Sequence, residues 1–279
     1  MIRRVSLAVV AALVLAAAAP AQTGAWRFHW QAGRVLTYRV EQSTTVTEML
    51  SSGKVECKER LGLTKRWQVL AVDPAGVATL QLSLTALRRE TTTPGGEVLF
   101  FDSANPDKSE PQVRQQMAQY LNQPIASLRV DDHGRVVEVK ESKFGPASTF
   151  ERDLPFRLIL PDTVPQVGQA WERTYQVTVD PPAGTGEKYD AVQRWTCKAA
   201  SGTSATLAVV AALKTMPAAV GDQAPLLQNQ PEGEIVFDVQ AGRVQSINLH
   251  VDKELKNHQG EGTSVHFQST YVEQYAGAN

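Results

Sequence analysis

The stretch from Ile235 to Val251, IVFDVQAGRVQSINLHV, decides the fold class because it has the pattern of a strand, a tight turn and a second strand. Apolar side chains occupy alternate positions on both sides of the turn, namely Ile235, Phe237, Val239, Ile247, Leu249 and Val251. Alternation with a period of two is typical of strands that bury one face. Gly242 between them supplies the positive φ that a hairpin turn requires. The stretch therefore predicts an antiparallel hairpin with one face in a core.

The same alternation recurs along most of the chain. It runs from Leu36 to Val40 and from Leu80 to Leu84, and turn sequences that combine Asp and Gly stand at residues 72–77 and 130–136. In such turns the Asp side chain accepts hydrogen bonds from the turn backbone. We therefore predict a mostly β protein, with antiparallel curved sheets or a flattened barrel and one short amphipathic helix.

Landmarks of the first half return in the same order in the second half, which indicates an internal duplication. The matched pairs are Gly33 to Val40 with Gly168 to Val177, Arg66-Trp67 with Arg194-Trp195, Ala78 to Leu80 with Ala205 to Leu207, and Gly134 to Val136 with Gly242 to Val244. We predict a first β repeat over residues 22–147, a proline-bearing linker over residues 148–167, and a second β repeat over residues 168–279. Whether the repeats form one domain or two stays open.

One segment departs from the strand pattern and predicts a helix near residues 110–121. Ser109 is the expected N-cap and Pro111 stands in the first turn. The apolar side chains that follow form a single helical stripe, made of Val113, Met117, Tyr120 and Leu121. We expect this helix to pack across a sheet face or a barrel end, either as a plug of the core or as a lid over a cavity.

The first residues have the layout of an export signal. Arg3 and Arg4 are basic, residues 5–19 are apolar except for Ser6, and Ala19-Pro20-Ala21 offers the small residues of a cleavage site. The apolar run is shorter than the ~20 residues that a membrane-spanning helix needs. We therefore predict a signal peptide over residues 1–21, a periplasmic or secreted protein, and no integral membrane anchor.

The two cysteines, Cys57 and Cys197, lie on the apolar side of alternating runs. An oxidising compartment permits a disulfide between them. A disulfide that joins the two halves and a pair of separate buried thiols are both consistent with the sequence.

Charge and motifs exclude several functions. The chain has 28 basic and 29 acidic side chains and no basic stripe with interleaved aromatic residues, so we expect no nucleic-acid partner. Nucleotide-binding loops, nucleophile elbows and metal-ligand spacings are missing, so we predict no cofactor, no metal site and no catalytic residues. A hydrolase is the third function considered, after the two non-enzymatic functions described in the next paragraph.

Tryptophans are the better candidates for a site. Trp30, Trp67, Trp171 and Trp195 stand at or near the repeat landmarks. On curved sheets these rings either line a cavity for an apolar ligand or fill the core. The leading hypothesis is an exported, non-enzymatic binding protein for a hydrophobic or amphipathic ligand, such as a lipid. The alternative is a structural or protein-interaction module of the bacterial envelope, whose protein partner the sequence does not identify.

Three stretches together resemble a known family. They are the run from Thr93-Pro94-Gly95-Gly96 to Asp102-Ser103-Ala104-Asn105-Pro106, the run Val167-Gly168-Gln169-Ala170-Trp171-Glu172, and the run Gly233 to Asp238. The chain is similar here to exported bacterial proteins that are classed only as a domain of unknown function. The resemblance implies a β-rich envelope protein and brings no catalytic residues with it. Separately, and by analogy of fold alone, the predicted β architecture is similar to the open-barrel lipoprotein carriers of the bacterial envelope.

Overall fold

The computed structural model describes residues 25–277, so the predicted signal peptide lies outside the described residues. Within them, period-two alternation produces strands as predicted. The strands are β1 (Val35–Leu50), β2 (Gly53–Val72), β3 (Ala78–Thr92), β4 (Val98–Asp102), β5 (Pro124–Val130), β6 (Val136–Ser142), β7 (Ala170–Val179), β8 (Glu187–Ala200), β9 (Ser204–Leu213), β10 (Glu232–Asp238), β11 (Arg243–Lys256) and β12 (Ser264–Gly277).

These strands form one antiparallel sheet in the order β6-β5-β3-β2-β1-β12-β11-β10-β9-β8-β7, with β4 added beside part of β3. Strand β12 lies between β1 and β11 and so joins the two halves of the chain into a continuous sheet. Strands β6 and β7 are the two edges. The sheet is therefore open, and the flattened-barrel form of the prediction is wrong, because β6 and β7 do not pair with each other.

Short helices interrupt the strands. They are α1 (Pro111–Ala118), α2 (Ser148–Arg152) and two 3-10 segments, Pro106–Lys108 and Gly221–Asn229. Helix α1 forms where a helix was predicted, but it begins after Glu110 and no side chain caps it. It has no buried residue and packs beside β4, so it does not plug the core. Among the described residues, no helix combines the length and apolarity needed to cross a bilayer.

One face of the sheet, which we call the inner face, holds the main core. Leu36, Tyr38 and Trp67 belong to it, with Leu207 and Phe237 from the second half. An extended segment, residues 153–160, packs over this core, and we call it the covering segment. Its alternate side chains Leu154, Phe156, Leu158 and Leu160 are at most 6% exposed. The stretch predicted as a linker thus carries part of the core, because apolar residues alternate between its prolines.

A second segment, residues 26–30, ties together the two hairpins that the sequence matched. The Phe28 amide donates to the Asp132 carbonyl at 2.7 Å, and the His29 amide donates to the Gly242 carbonyl at 3.0 Å. Gly134 and Gly242 lie directly under this segment with φ of +88° and +60°. A Cβ on Gly134 would stand 2.6 Å from the Phe28 ring. Both positions therefore require glycine for conformation and for space.

The matched landmarks occupy corresponding places in the two halves. The Gly33 amide donates to the Val69 carbonyl at 2.8 Å, and the Gly168 amide donates to the Cys197 carbonyl at 2.7 Å. Trp67 stands opposite Leu36 in the register of β1 and β2, as Trp195 stands opposite Trp171 in that of β7 and β8. An internal duplication would produce such correspondences, and the duplication and its boundaries stay a prediction.

Candidate functional site

The tryptophans predicted as ligand contacts are packed among other core residues. Trp67 and Trp195 are 2% and 0% exposed. Trp171 stacks on Trp195, and Trp30 stacks on Phe28 with 5.1 Å between ring centroids. The rings at these positions fill the core, which was the second of the two alternatives. A direct contact of these rings with a ligand stays a prediction.

The two cysteines are free thiols in the structure. Cys197 is buried on β8, and burial raises the pKa of its thiol. Cys57 is half-buried on β2. Only one of the two thiols is therefore buried, and a disulfide between the two cysteines stays a prediction.

A cavity of about 280 Å³ adjoins the tryptophan core on the inner face. The sheet contributes an apolar part of its wall, made of Ala211, Leu249, Val251 and Phe267. Polar side chains complete it, among them Gln42, Gln193, Gln228, Asn229, Ser269, Tyr175 and Tyr271. None of the four predicted tryptophans lines it. The cavity therefore has an amphipathic wall.

Two arginines belong to the wall of this cavity. Arg152, the last residue of α2, and Arg157, in the covering segment, both line it. Asp153 between them accepts from Arg152 Nη2 at 3.1 Å and lies 3.9 Å from Arg157 Nη1. Arg157 has a φ of +51°, in the left-handed region that non-glycine residues rarely adopt. Strained residues of this kind concentrate at functional sites.

A buried ion pair lies next to the arginines. The Lys65 ammonium is 3.1 Å from Glu273 Oε2 and donates to the Tyr271 hydroxyl at 2.9 Å. Tyr271 in turn donates to Glu273, and the Arg157 guanidinium lies 4.5 Å from the centre of the Tyr271 ring. Burial opposes the charged form of Lys65, but Glu273 and Tyr271 offset this effect, so the pKa of Lys65 is raised. Burial and Glu273 also raise the pKa of Tyr271.

A third arginine lies behind the cavity wall. Arg173 on β7 donates through Nη2 to the Arg152 carbonyl at 2.5 Å and through Nε to Gln193 Oε1 at 3.0 Å. Burial lowers the pKa of Arg173 to about 10, with a smaller contribution of the same sign from Arg157. The protein therefore holds several cations close together in a poorly solvated place.

Comparison with known proteins adds information on the fold. No protein-family model and no curated protein matches the chain. The sheet shares its fold with lipovitellin. The matching structure describes lipid–protein interactions in lipovitellin. The match has 12% sequence identity and a TM-score of 0.51. It covers 90% of this chain but 26% of the lipovitellin chain, so the present chain spans about a quarter of that length.

Two bacterial structures are more distant neighbours. A DUF1329 family protein from Desulfovibrio piger matches at 9% identity over 87% of this chain and 85% of its own, with a TM-score of 0.17. A domain of an outer membrane lipoprotein-sorting protein from Vibrio parahaemolyticus matches at 11% identity over 87% and 84%, with a TM-score of 0.14. Scores this low carry no argument about function.

A small acidic group stands away from the cavity. Within the described residues, one group of side chains could hold a metal ion. It consists of Asp131, Asp132 and His133, whose potential ligand atoms lie within 4.8 Å of one another. Both carboxylates already have partners, because Asp131 Oδ1 accepts two turn amides and Asp132 pairs with Arg27. The group therefore acts as the turn element that the sequence predicts.

Sequence reasoning missed the cavity residues. Arg152, Asp153 and Arg157 fall in the stretch that was interpreted as a linker, and Lys65 and Glu273 are 208 residues apart along the chain. One local signal was present, since Arg157 is a charged residue inside an alternating apolar run, Leu154-Pro155-Phe156-Arg157-Leu158. A charge within a buried segment requires a partner or a ligand.

Proposed function

We propose that this chain is an exported, non-enzymatic binding protein for an amphipathic ligand with a large apolar part, such as a lipid. One observation carries the proposal: the cavity continues along the inner face as a row of half-buried apolar side chains. We call this row the apolar stripe, and it consists of Val46, Val55, Cys57, Leu61, Leu63, Leu255 and Phe267.

The strand registers connect the stripe to the cavity. Phe267, which lines the cavity, stands opposite Val46, and Val46 stands opposite Cys57. Gln42, also in the cavity wall, stands opposite Leu61. An elongated ligand with its polar end in the cavity could therefore lay its apolar part across β12, β1 and β2.

The lengths of the strands explain why the stripe is half-buried. Strands β1 and β2 have 16 and 20 residues. The covering segment packs on their Leu36, Tyr38 and Trp67 end, whereas the stripe lies toward the β1–β2 turn. Each Å² of apolar surface that a ligand removed from water would stabilise the complex by about 25 cal/mol. The polar pair Thr44 and Glu59 divides the stripe between Cys57 and Leu61. Exposed apolar surface beside a cavity is typical of ligand or protein interaction sites.

The likeness to lipovitellin supports the ligand class. Lipovitellin interacts with lipid, and the fold of this sheet is similar to part of it. Because fold does not dictate function, the proposal depends on the cavity and the stripe and takes the lipid class from the likeness.

The second candidate function is an interaction module of the envelope. It is favoured by the edge strands β6 and β7, each of which has one strand neighbour in the sheet. Unpaired backbone groups on such edges can bind an extended segment of another protein.

Native mass spectrometry of the protein, produced without detergent in an exporting bacterial host, distinguishes these functions. We expect a stoichiometric apolar molecule to co-purify, or an added mass after incubation with a lipid mixture. Phe267→Asp should reduce the bound fraction, because it places a carboxylate where the stripe meets the cavity. Val210→Asp is the matched control, since Val210 is 46% exposed and lies outside the cavity and the stripe. A clean protein mass before and after incubation with lipids would refute the proposed function.

A further inference from the structure

The cavity wall has an excess of positive charge. Arg152 and Arg157 line it, and Asp153 is the one acidic side chain that the described lining contains. A single carboxylate therefore faces two guanidinium groups, at 3.1 Å and 3.9 Å.

The groups behind the wall do not remove this excess. Lys65 and Glu273 pair with each other and contribute no net charge. In the wall itself, the guanidinium groups of Arg152 and Arg157 therefore stand against the one carboxylate of Asp153 among the described lining residues.

Burying a cation costs free energy unless an anion or several hydrogen bonds offset the loss of water. This cost applies to the two arginines of the wall, because the side chains of Arg152 and Arg157 are only 30% and 29% exposed. An anion in the cavity would offset it. Planar guanidinium groups bind carboxylates and phosphates through paired hydrogen bonds, which makes arginine the residue suited to these two anions.

The size of the cavity limits what enters it. Pockets that enclose a drug-sized ligand measure roughly 300–1,000 Å³, whereas this one measures about 280 Å³. It accommodates a head group with the adjoining part of a chain, and the rest of the chain must lie outside. The apolar stripe begins where the cavity lining includes Phe267.

We infer that the cavity binds the anionic head group, a carboxylate or a phosphate, of a single-chain amphiphile whose tail lies along the apolar stripe. Arg152 and Arg157 are the head-group ligands, and the amides of Gln42 and Asn229 in the same wall can donate further hydrogen bonds. This inference deepens the proposed function and rests on it.

Calorimetric titration of the delipidated protein tests the inference with probes that share one chain length. Dodecanoate and dodecyl phosphate carry the two candidate head groups, dodecanol has a neutral one, and acetate and inorganic phosphate lack the tail. We expect the better of the two anionic amphiphiles to bind at least about tenfold more tightly than dodecanol, because hydrogen bonds between ionised partners are about twice as strong as neutral ones. The tail-free anions should bind at least about tenfold more weakly than their dodecyl counterparts.

Variants at Arg152 assign the effect to this part of the cavity wall. Its side chain is 30% exposed at the end of α2, so its loss should leave the fold intact. Arg152→Gln should weaken binding of the anionic amphiphile about tenfold and leave dodecanol binding unchanged, and Arg152→Lys should restore part of the loss. Arg194→Gln is the charge-matched control, because Arg194 is 63% exposed and pairs with Glu172 away from the cavity.

The outcomes separate this inference from the proposed function. Equal affinity for dodecanol and dodecanoate, unchanged in Arg152→Gln, would overturn the inference and leave the proposed function standing. If no dodecyl compound bound, both would fail. Inorganic phosphate that bound as tightly as dodecyl phosphate would overturn the inference as stated, because the tail would then contribute nothing.

Discussion

Phe156 and Arg157 are neighbours in the covering segment but belong to two different regions of the inner face. The Phe156 ring packs against Phe28, Trp30, Tyr38 and Trp67, with ring centroids 5.4 to 5.9 Å apart. Arg157 instead lines the cavity and lies over Tyr271. Arg157, with its left-handed φ, thus stands between two core residues, Phe156 and Leu158. A single short segment therefore provides both the apolar anchor of the core and part of the cationic wall of the cavity.

The largest expected effect comes from removing the anchor. Phe156→Ala should lower the free energy of unfolding by about 3–5 kcal/mol, because it leaves a void among four aromatic rings. Urea denaturation followed by tryptophan fluorescence measures this loss. Phe144→Ala is the control, since Phe144 is a half-buried ring that packs against Tyr120 outside the main core, and it should cost clearly less. Equal losses in the two variants would show that Phe156 is not the anchor.

The anchor region was more accessible to sequence reasoning than the cavity. Alternation predicted the strands, and Asp73 and Asp131 accept turn amides as their positions in the hairpins indicated. Both signals are local, because side-chain direction alternates along a strand and an Asp in a turn bonds its own backbone.

The remaining features depend on distant parts of the chain. The pairing of β1 with β12 joins Tyr38 to Tyr275, and no local pattern specifies which strand becomes the neighbour. Prolines at positions 155, 161 and 165 indicated a linker, although apolar alternation between them was the stronger signal. The cavity residues come from α2, the covering segment, the 3-10 segment Gly221–Asn229 and six strands, so they meet only once the whole sheet has formed.

The next effect concerns the ion pair beside the cavity. Lys65→Met should lower the free energy of unfolding by about 3 kcal/mol, because it leaves the Glu273 carboxylate, 1% exposed, without its cation. The double variant Lys65→Met, Glu273→Leu should recover most of this loss, since a well-packed apolar pair can replace a buried ion pair. A double-mutant cycle by urea denaturation measures both. A double variant as unstable as the sum of the two single variants would show that the residues do not act as a pair.

The smallest effect is a loss of stability at alkaline pH. It arises from ionisable groups in both regions. Tyr38 in the core and Tyr271 beside the cavity both have a raised pKa, chiefly from burial and then from Glu273. A group whose pKa is higher in the folded state stabilises the fold below its unfolded pKa, about 10 for tyrosine, and loses that contribution as the pH rises through the folded value. The raised pKa of Lys65 acts in the same direction. Arg173 opposes it, because its pKa falls to about 10 and the folded state gives up this proton first.

Burial also raises the pKa of Tyr175. With these four groups against Arg173, stability should fall as the pH rises from 10 to 11.5, by about 1.4 kcal/mol for each pKa unit of net difference between folded and unfolded protein. Urea denaturation at a series of pH values measures the slope, and absorbance at 295 nm reports when the tyrosines ionise. Tyr271→Phe should reduce the slope because it removes one of the four groups. A slope equal to that of the parent protein would mean that Tyr271 keeps no proton that the unfolded chain loses. In that case the Tyr271 hydroxyl would not be held between Lys65 and Glu273 in solution. Water would then reach the polar wall of the cavity more freely than the packing of Arg157 against the Tyr271 ring implies.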